Sequence, residues 1–250
     1  MNEAILYGSP AAPRRLKILS YNVHSCIGTD RKLDPARVAG VIAEAAPDVI
    51  GLQELDIGRS RTGGIDQAQV IASLLQMDYH FHAALNVAEE RYGDAILTPH
   101  PTRLLRAGML PSHGEQRGAL SIELSHDTRP VQIVNTHLGL RSKDRNAQMQ
   151  ELLGREWLSH PDWVGRPQIM IGDLNATPVT RTYKRIASVY RDAHVAVARP
   201  RATFPSRFPL LRLDHIFVSE EVKVVEARVI STPLARLASD HLPLLVTVEV

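Results

Sequence analysis

Ile169-Met170-Ile171-Gly172-Asp173-Leu174-Asn175-Ala176-Thr177-Pro178 is the stretch on which the reading of this chain turns. Its apolar run has the length of a buried strand, Gly172 eases the backbone into a turn, and Pro178 stops the strand. Asp173 and Asn175 stand two apart on an extended backbone and so project to the same side. A carboxylate that accepts a proton, beside an amide that donates to an anionic oxygen, suits attack of water on a phosphate ester.

Upstream, Leu16–His24 reads as a strand whose polar residues gather at its end, and Asp48–Glu54 repeats the pattern. Between them Asp34-Pro35 caps and opens a helix, continued by Val38, Val41, Ile42 and Ala45 at helical spacing and stopped by Pro47. Asp66 with Gln69 opens another, through Leu75. Extended segments follow at Tyr79–Leu85, Asp94–Leu97, Ala119–Leu124 and Val131–His137, the last two joined by a hairpin turn at Ser125–Pro130. A helix is expected over 142–158, a short one near 180–189, and three closing strands at Leu213–Val218, Val222–Ile230 and Leu242–Val250. Many strands of both senses with about four helices between them predict a layered α/β sandwich. Residues 1–15 read as a loose leader before a single domain, 16–250.

At 250 residues and 44% hydrophobic, the chain can bury a full core. A net charge of +2 with histidines neutral sets up no global field for nucleic acid. The single cysteine, Cys26, excludes an intramolecular disulfide and fits a reducing, cytoplasmic setting. No apolar run reaches the ~20 residues of a membrane span.

Chemically similar groups close five strands: Asn22; Gln53 and Glu54; Asn135 and His137; Asp173 and Asn175; Asp214 and His215. Asp240-His241 stands just before the last strand. These are hard oxygen and imidazole donors without a cysteine cluster, which suits Mg²⁺, or Mn²⁺ in its place. Glu54 is the first metal ligand on this reading, with Asp240 and Asn22 next. His241 is either a neutral base or a cation that stabilises developing charge, and Asp214 is its natural carboxylate partner.

Ser20-Tyr-Asn22-Val-His, Leu52-Gln-Glu54-Leu, Asn135-Thr-His137-Leu-Gly, Gly172-Asp173-Leu-Asn175, Leu213-Asp214-His-Ile and Ser239-Asp240-His241-Leu-Pro resemble, in that order, the motifs of the endonuclease/exonuclease/phosphatase superfamily. Within it the chain looks most like the small bacterial members. The resemblance implies a four-layer αββα sandwich of two mixed, mainly antiparallel sheets, with the site at one end. It also implies roles. Asn22, Glu54 and Asp240 would sit at the metal. Asp173 would orient or deprotonate the attacking water, Asn175 and His137 would hold phosphate oxygens, and His241, held by Asp214, would contact the scissile phosphate. Gln116-Arg117-Gly resembles a segment that places an arginine near the substrate. Where many bacterial members read glycine-asparagine-alanine, this chain reads Gly93-Asp94-Ala95; Asp94 either orients His137 or is simply tolerated at a strand start.

The segment 199–212 carries Arg199, Arg201, Arg207 and Arg212 around Phe204 and Phe208 without an acidic residue. Arg207, Arg212 and Phe204 are therefore candidate substrate contacts, to nucleic acid or to a lipid surface. Arg59 and Arg61 form a second basic loop, whereas His24-Ser-Cys26 and His80-Phe-His82 offer too few ligands for a transition metal. The expectation is a Mg²⁺-dependent hydrolase that cleaves a phosphodiester by direct attack of water. Nucleic acid is the leading substrate, a phospholipid or small phosphodiester the alternative, and a non-catalytic binding domain the rival of a different class.

Overall fold

The computed structural model describes residues 15–126, 129–197 and 199–250. The expected leader lies outside these except for Arg15, which already belongs to the first strand. The first half runs β1 (Arg15–Asn22), α1 (Pro35–Ala45), β2 (Val49–Ile57), α2 (Gln67–Leu75), β3 (Asp78–Val87), β4 (Glu90–Thr98) and β5 (Thr102–Leu110). Next come β6 (Arg117–Leu124), β7 (Val131–His137), α3 (Ser142–Leu152), β8 (Gln168–Asp173) and α4 (Arg181–Ala187). The chain closes with β9 (Arg191–Asp192), α5 (Ala193–Val197), β10 (Asp214–Val218), β11 (Lys223–Val229), α6 (Pro233–Ala238) and β12 (Leu244–Glu249).

The strands form two six-stranded sheets, ordered β11-β12-β1-β2-β4-β3 and β5-β6-β7-β8-β10-β9. Each is antiparallel except for one central parallel pair, β1 with β2 and β7 with β8. Side-chain alternation separates the layers. Ile169, Ile171, Ile133, Ile216 and Val218 face the other sheet in the main core, while Met170, Val134 and Phe217 face outward. That outer face is covered by Met149 and Leu152 of α3 and Tyr183 and Ile186 of α4. On the opposite side α1, α2 and α6 cover the first sheet through residues such as Val38, Ile42, Ile71 and Ala235. The result is the expected four-layer α/β sandwich.

The helix starts follow the sequence signals: Asp34 accepts a bond from Arg37 N–H, and Asp66 accepts one from Gln69 N–H. The helix expected over 142–158 is shorter. It ends at Leu152, and the chain turns back through Gly154 so that Leu158 N–H bonds to the Leu152 carbonyl. Gly172 has a reason other than turning the chain. It lies within β8 at a φ of 155°, where a Cβ would come 2.0 Å from the Thr136 carbonyl oxygen on β7.

The pairing brings the polar strand ends to one edge. Parallel pairing aligns Asn22 with Gln53 and His137 with Asp173, and antiparallel pairing sets Asp214 opposite Asp173. Leu244 lies opposite Ser20, so the 239–241 segment lands at the same end. Beneath that edge Asn135 staples the sheets together: its amide donates to the Leu52 and Ala95 carbonyls and accepts from Gln53 Nε2 at 2.7 Å. Asn135 and Gln53 are fully buried. They serve the scaffold and leave the next residue along β2, Glu54, to reach the surface.

Candidate active site

Glu54 reaches the cleft because β2 breaks register with β4 between Leu52 and Leu55. At that bulge Glu54 adopts φ 64°, a left-handed conformation costly for a side-chain-bearing residue, so its surroundings must hold it there. Asp94 is part of the hold. Its buried carboxyl lies near the backbone N–H groups of Glu54 and His137, which favour its charged form. Asp94 does not orient the His137 ring, whose Nδ1 has no partner among the described residues; it lies beside the backbone of His137 and Glu54. Burial raises its pKa to about 7, against the opposing influence of Arg117 and those N–H groups.

Asn22 bridges the carboxylates, donating from Nδ2 to Glu54 Oε1 at 2.8 Å and to Asp173 Oδ2 at 3.0 Å. Its Oδ1 accepts from His24 N–H. His24, Ser25 and Cys26 form a turn with φ of 48°, 51° and 56°, pinned by Gln67 Nε2 on the Ser25 carbonyl. His24 then stands 3.7 Å from Asp240. Cys26 is buried, and burial pushes its thiol pKa up, so it is no nucleophile.

Asp173, Asp214 and His241 form a buried cluster. His241 Nδ1 is 2.8 Å from Asp214 Oδ2, and its Nε2 is 3.6 Å from Asp173 Oδ2. Burial opposes charge on His241, but the Asp214 and Asp173 carboxylates override it and raise the pKa to about 10. That direction favours the charged reading of His241 over the neutral one. Burial and the Asp214 charge raise the Asp173 pKa to about 6, with His241 and the Asn175 and Asn22 N–H donors restraining it. Asp173, Asp214 and His241 each bring a donor atom within 4.8 Å of the others, a spacing that a metal ion would accept. His241 Nδ1 is already bonded to Asp214, and a cation bound at this cluster would displace the imidazole proton.

Asn175 Nδ2 donates to His137 Nε2 at 2.9 Å and to the Leu138 carbonyl. That bond requires Nε2 to be an acceptor, hence a neutral His137 with its proton on Nδ1. Burial and the charges of Arg117 and His241 hold the His137 pKa well below the ordinary value. Arg117 is buried with Nη2 on Glu115 Oε2 at 2.9 Å, while Nε and Nη1 have no partner.

These groups line a cleft of about 430 Å³ whose walls include Glu54, Arg61, Tyr92, Arg117, His137, Asp173, Asn175, Phe204 and His241. Phe204 packs on His241 with ring centroids 4.8 Å apart. Arg61 is clamped by the buried Asp56 through bonds of 2.7 and 2.8 Å and lies over the Tyr92 ring. Sequence reasoning passed over Asp56 and Tyr92; the only available signal was that Asp56 follows Glu54 at strand spacing. Arg207 stands outside the cleft on the surface, donating to the Thr29 carbonyl. Arg212 does not join the site. It turns inward to the buried Asp192, whose carboxylate also accepts from Tyr183. A second hollow of about 410 Å³ lies on the far side, but its Arg103 and Arg106 are already paired with Glu123 and Glu156.

A sequence profile of the Endonuclease/Exonuclease/phosphatase family matches residues 19–241. The chain belongs to this family. The family consists mostly of hydrolytic phosphoesterases and generally uses divalent metals. The uncharacterized protein YbhP of Escherichia coli (strain K12) is 26% identical over 248 residues, covering 91% of this chain and 94% of YbhP. The fold is similar to an endonuclease/exonuclease/phosphatase from Bacteroides vulgatus: TM-score 0.76, 20% identity, and coverage of 95% of this chain and 99% of that one. It is also similar to the mannosyl-6-phosphatase Bt3783 of Bacteroides thetaiotaomicron VPI-5482: TM-score 0.72, 20% identity, and coverage of 94% and 100%. Among the described residues, no helix is long and apolar enough to cross a membrane.

Proposed function

We propose that this family member is a cytoplasmic, Mg²⁺-dependent phosphodiesterase that hydrolyses its substrate by direct attack of water. The observation that carries the proposal is the pairing of a buried carboxyl, Asp173, near the pKa of a useful base with the imidazolium of His241. The orphaned N–H groups of Arg117 support it, since a buried guanidinium with free donors in a cleft suits an anionic oxygen.

In the proposed reaction Asp173 takes a proton from water as the water oxygen bonds to phosphorus. The ester bond to the leaving oxygen breaks, and the alkoxide leaves as the alcohol, taking up by way of solvent the proton that Asp173 accepted, which returns Asp173 to its charged form. The products are a phosphomonoester and an alcohol. Arg117 and His241 offset charge on the non-bridging oxygens, and Asp214 keeps His241 protonated. Asn175 and neutral His137 orient the phosphate. Glu54, with Asn22 and Asp240, would hold Mg²⁺ or Mn²⁺. The fit is chemical: the Glu54 carboxylate lines the cleft and offers hard oxygens. Asn22 here turns its N–H donors to Glu54 and Asp173, with its Oδ1 on His24 N–H, and would have to turn its amide to become a ligand. A divalent ion held there would supply Lewis-acid chemistry, to polarise a phosphoryl oxygen or to stabilise the leaving oxygen.

A nucleic-acid strand and a phospholipid headgroup both present this bond. The experiment that separates the enzyme from a binding domain is hydrolysis of bis(p-nitrophenyl) phosphate in Mg²⁺ and in EDTA. Release of p-nitrophenol that stops in EDTA supports the proposal; no release in either overturns it.

A further inference from the structure

The chain leaves the cleft wall at Phe204, makes a short excursion and returns at Leu211, with Phe204 N–H bonded to the Leu211 carbonyl at 3.0 Å and Leu211 N–H to the Phe204 carbonyl at 2.8 Å. The base of this excursion is bolted down. Ser206 N–H bonds to the Asp240 carbonyl, Ser206 Oγ bonds to the Ser239 carbonyl, and Arg236 Nη1 donates to the carbonyls of Ser206 and Arg207. With the backbone so held, Phe208 remains 77% exposed and Leu210 80% exposed. A flexible loop would fold such side chains away; this one holds them out beside the catalytic cleft.

The surroundings match the tip. Arg207 ties it to the 28–33 loop through the Thr29 carbonyl, and Thr29 N–H bonds to the Leu237 carbonyl, so Leu33 and Leu237, both exposed, belong to neighbouring segments. Leu140, on the cleft wall, is 73% exposed. Interspersed with these are the exposed cations Arg31, Lys32, Arg141, Arg201 and Arg207. Two of the carboxylates nearby are engaged, Asp30 with Arg37 at 3.1 Å and Glu115 with Arg117, and Asp240 lies 3.7 Å from His24. The rim of the cleft therefore combines protruding hydrocarbon with a surplus of positive charge.

We propose that this rim docks the cleft on an anionic membrane surface, so that the diester presented to Asp173 and His241 is that of an anionic phospholipid. Apolar side chains that enter the headgroup boundary and basic residues that attract anionic lipid are the two components of interfacial binding. Nucleic acid fits less well, because single strands bind by stacking on aromatic rings, and among the described residues Phe208 is the one aromatic in the set of exposed large apolar side chains. The docking stands on the rim alone; the cleavage of the lipid rests on the phosphodiesterase reading above.

The test is co-sedimentation of the full chain, in EDTA, with vesicles of phosphatidylcholine alone or with about 30% phosphatidylglycerol. Wild type is expected to pellet with the anionic vesicles and to be released by salt, with binding to the neutral vesicles roughly tenfold weaker or more. The Phe208→Ser/Leu210→Ser double variant, altered only at exposed positions, should lose binding roughly tenfold or more. Its thermal midpoint and its bis(p-nitrophenyl) phosphate rate should match wild type. Absence of wild type from the anionic pellet, or equal pelleting of the double variant, overturns the docking. So does plasmid DNA that displaces wild type from vesicles and binds the double variant poorly, which makes nucleic acid the occupant. Vesicle binding without diester hydrolysis overturns the catalytic reading and leaves the docking intact.

Discussion

Asp214 and Asp173 face each other across the antiparallel β10–β8 pair, and His241 is held between their carboxylates, 2.8 Å from one and 3.6 Å from the other. Strand register thus fixes the distance between the proposed base and the carboxylate that charges its neighbour. A one-residue slip of β10 would turn Asp214 away from the cleft.

The first prediction concerns the proton on His241. Its folded pKa, about 10, lies above the ordinary 6.5. The stabilisation is therefore complete below about pH 6.5 and fades as pH rises through about 10. In metal-free protein, imidazole NMR signals should show His241 protonated at pH 8. Asp214→Asn should lower its proton affinity by about tenfold or more. A neutral His241 at pH 7 in wild type contradicts the assignment.

Arg117→Lys keeps the charge and loses the fork. Bidentate contact to phosphate is lost with it, so kcat/KM for a phosphodiester should fall by about tenfold or more, with weaker inhibition by inorganic phosphate. Unchanged phosphate inhibition would remove Arg117 from the substrate contacts.

Glu54→Gln tests the metal. The variant should lose activity in Mg²⁺ and regain part of it in Mn²⁺, and calorimetry should show weaker Mg²⁺ binding. Wild-type activity in Mg²⁺ alone would rule out Glu54 as a ligand.

Asn135→Leu should cost stability without touching the cleft. It removes the amide donors to the Leu52 and Ala95 carbonyls between the sheets, each worth about 1–3 kcal/mol when unsatisfied, while Gln53 Nε2 keeps the Gly51 carbonyl. Urea unfolding measures the loss, and a midpoint equal to that of wild type would show that the staple is dispensable.

The strongly periodic or capped elements were legible in the sequence. Asp34-Pro35 placed α1, and the apolar run ending at Asp173 placed β8. β5 was missed because it is an edge strand. Exposed Leu104 and Met109 blur its alternation, and a bulge between Leu104 and Arg106 shifts its phase. The five-residue α5 and six-residue α6 are too short for helical periodicity, although Thr232-Pro233 carried a start signal that Thr232 fulfils by capping Ala235 N–H.

At the site, residue types at strand ends identified Asp173, His241, Glu54 and Asn22 as neighbours, since register does the rest. What sequence cannot convey is which polar side chain turns inward. Arg212 and Arg207 look alike in sequence, yet Arg212 is taken by buried Asp192 and Arg207 stays on the surface. Likewise the role of Asp94 depends on the bulge at Glu54, a backbone conformation that no side-chain pattern announces.

The most direct test is the hydrolysis of bis(p-nitrophenyl) phosphate by Asp173→Asn beside wild type in Mg²⁺, with phosphate affinity measured on both. Removal of the base should cut kcat by about 10²–10⁴-fold and leave phosphate affinity within a few-fold of wild type. A variant that turns over at the wild-type rate would contradict the assignment of Asp173 as the group that activates water.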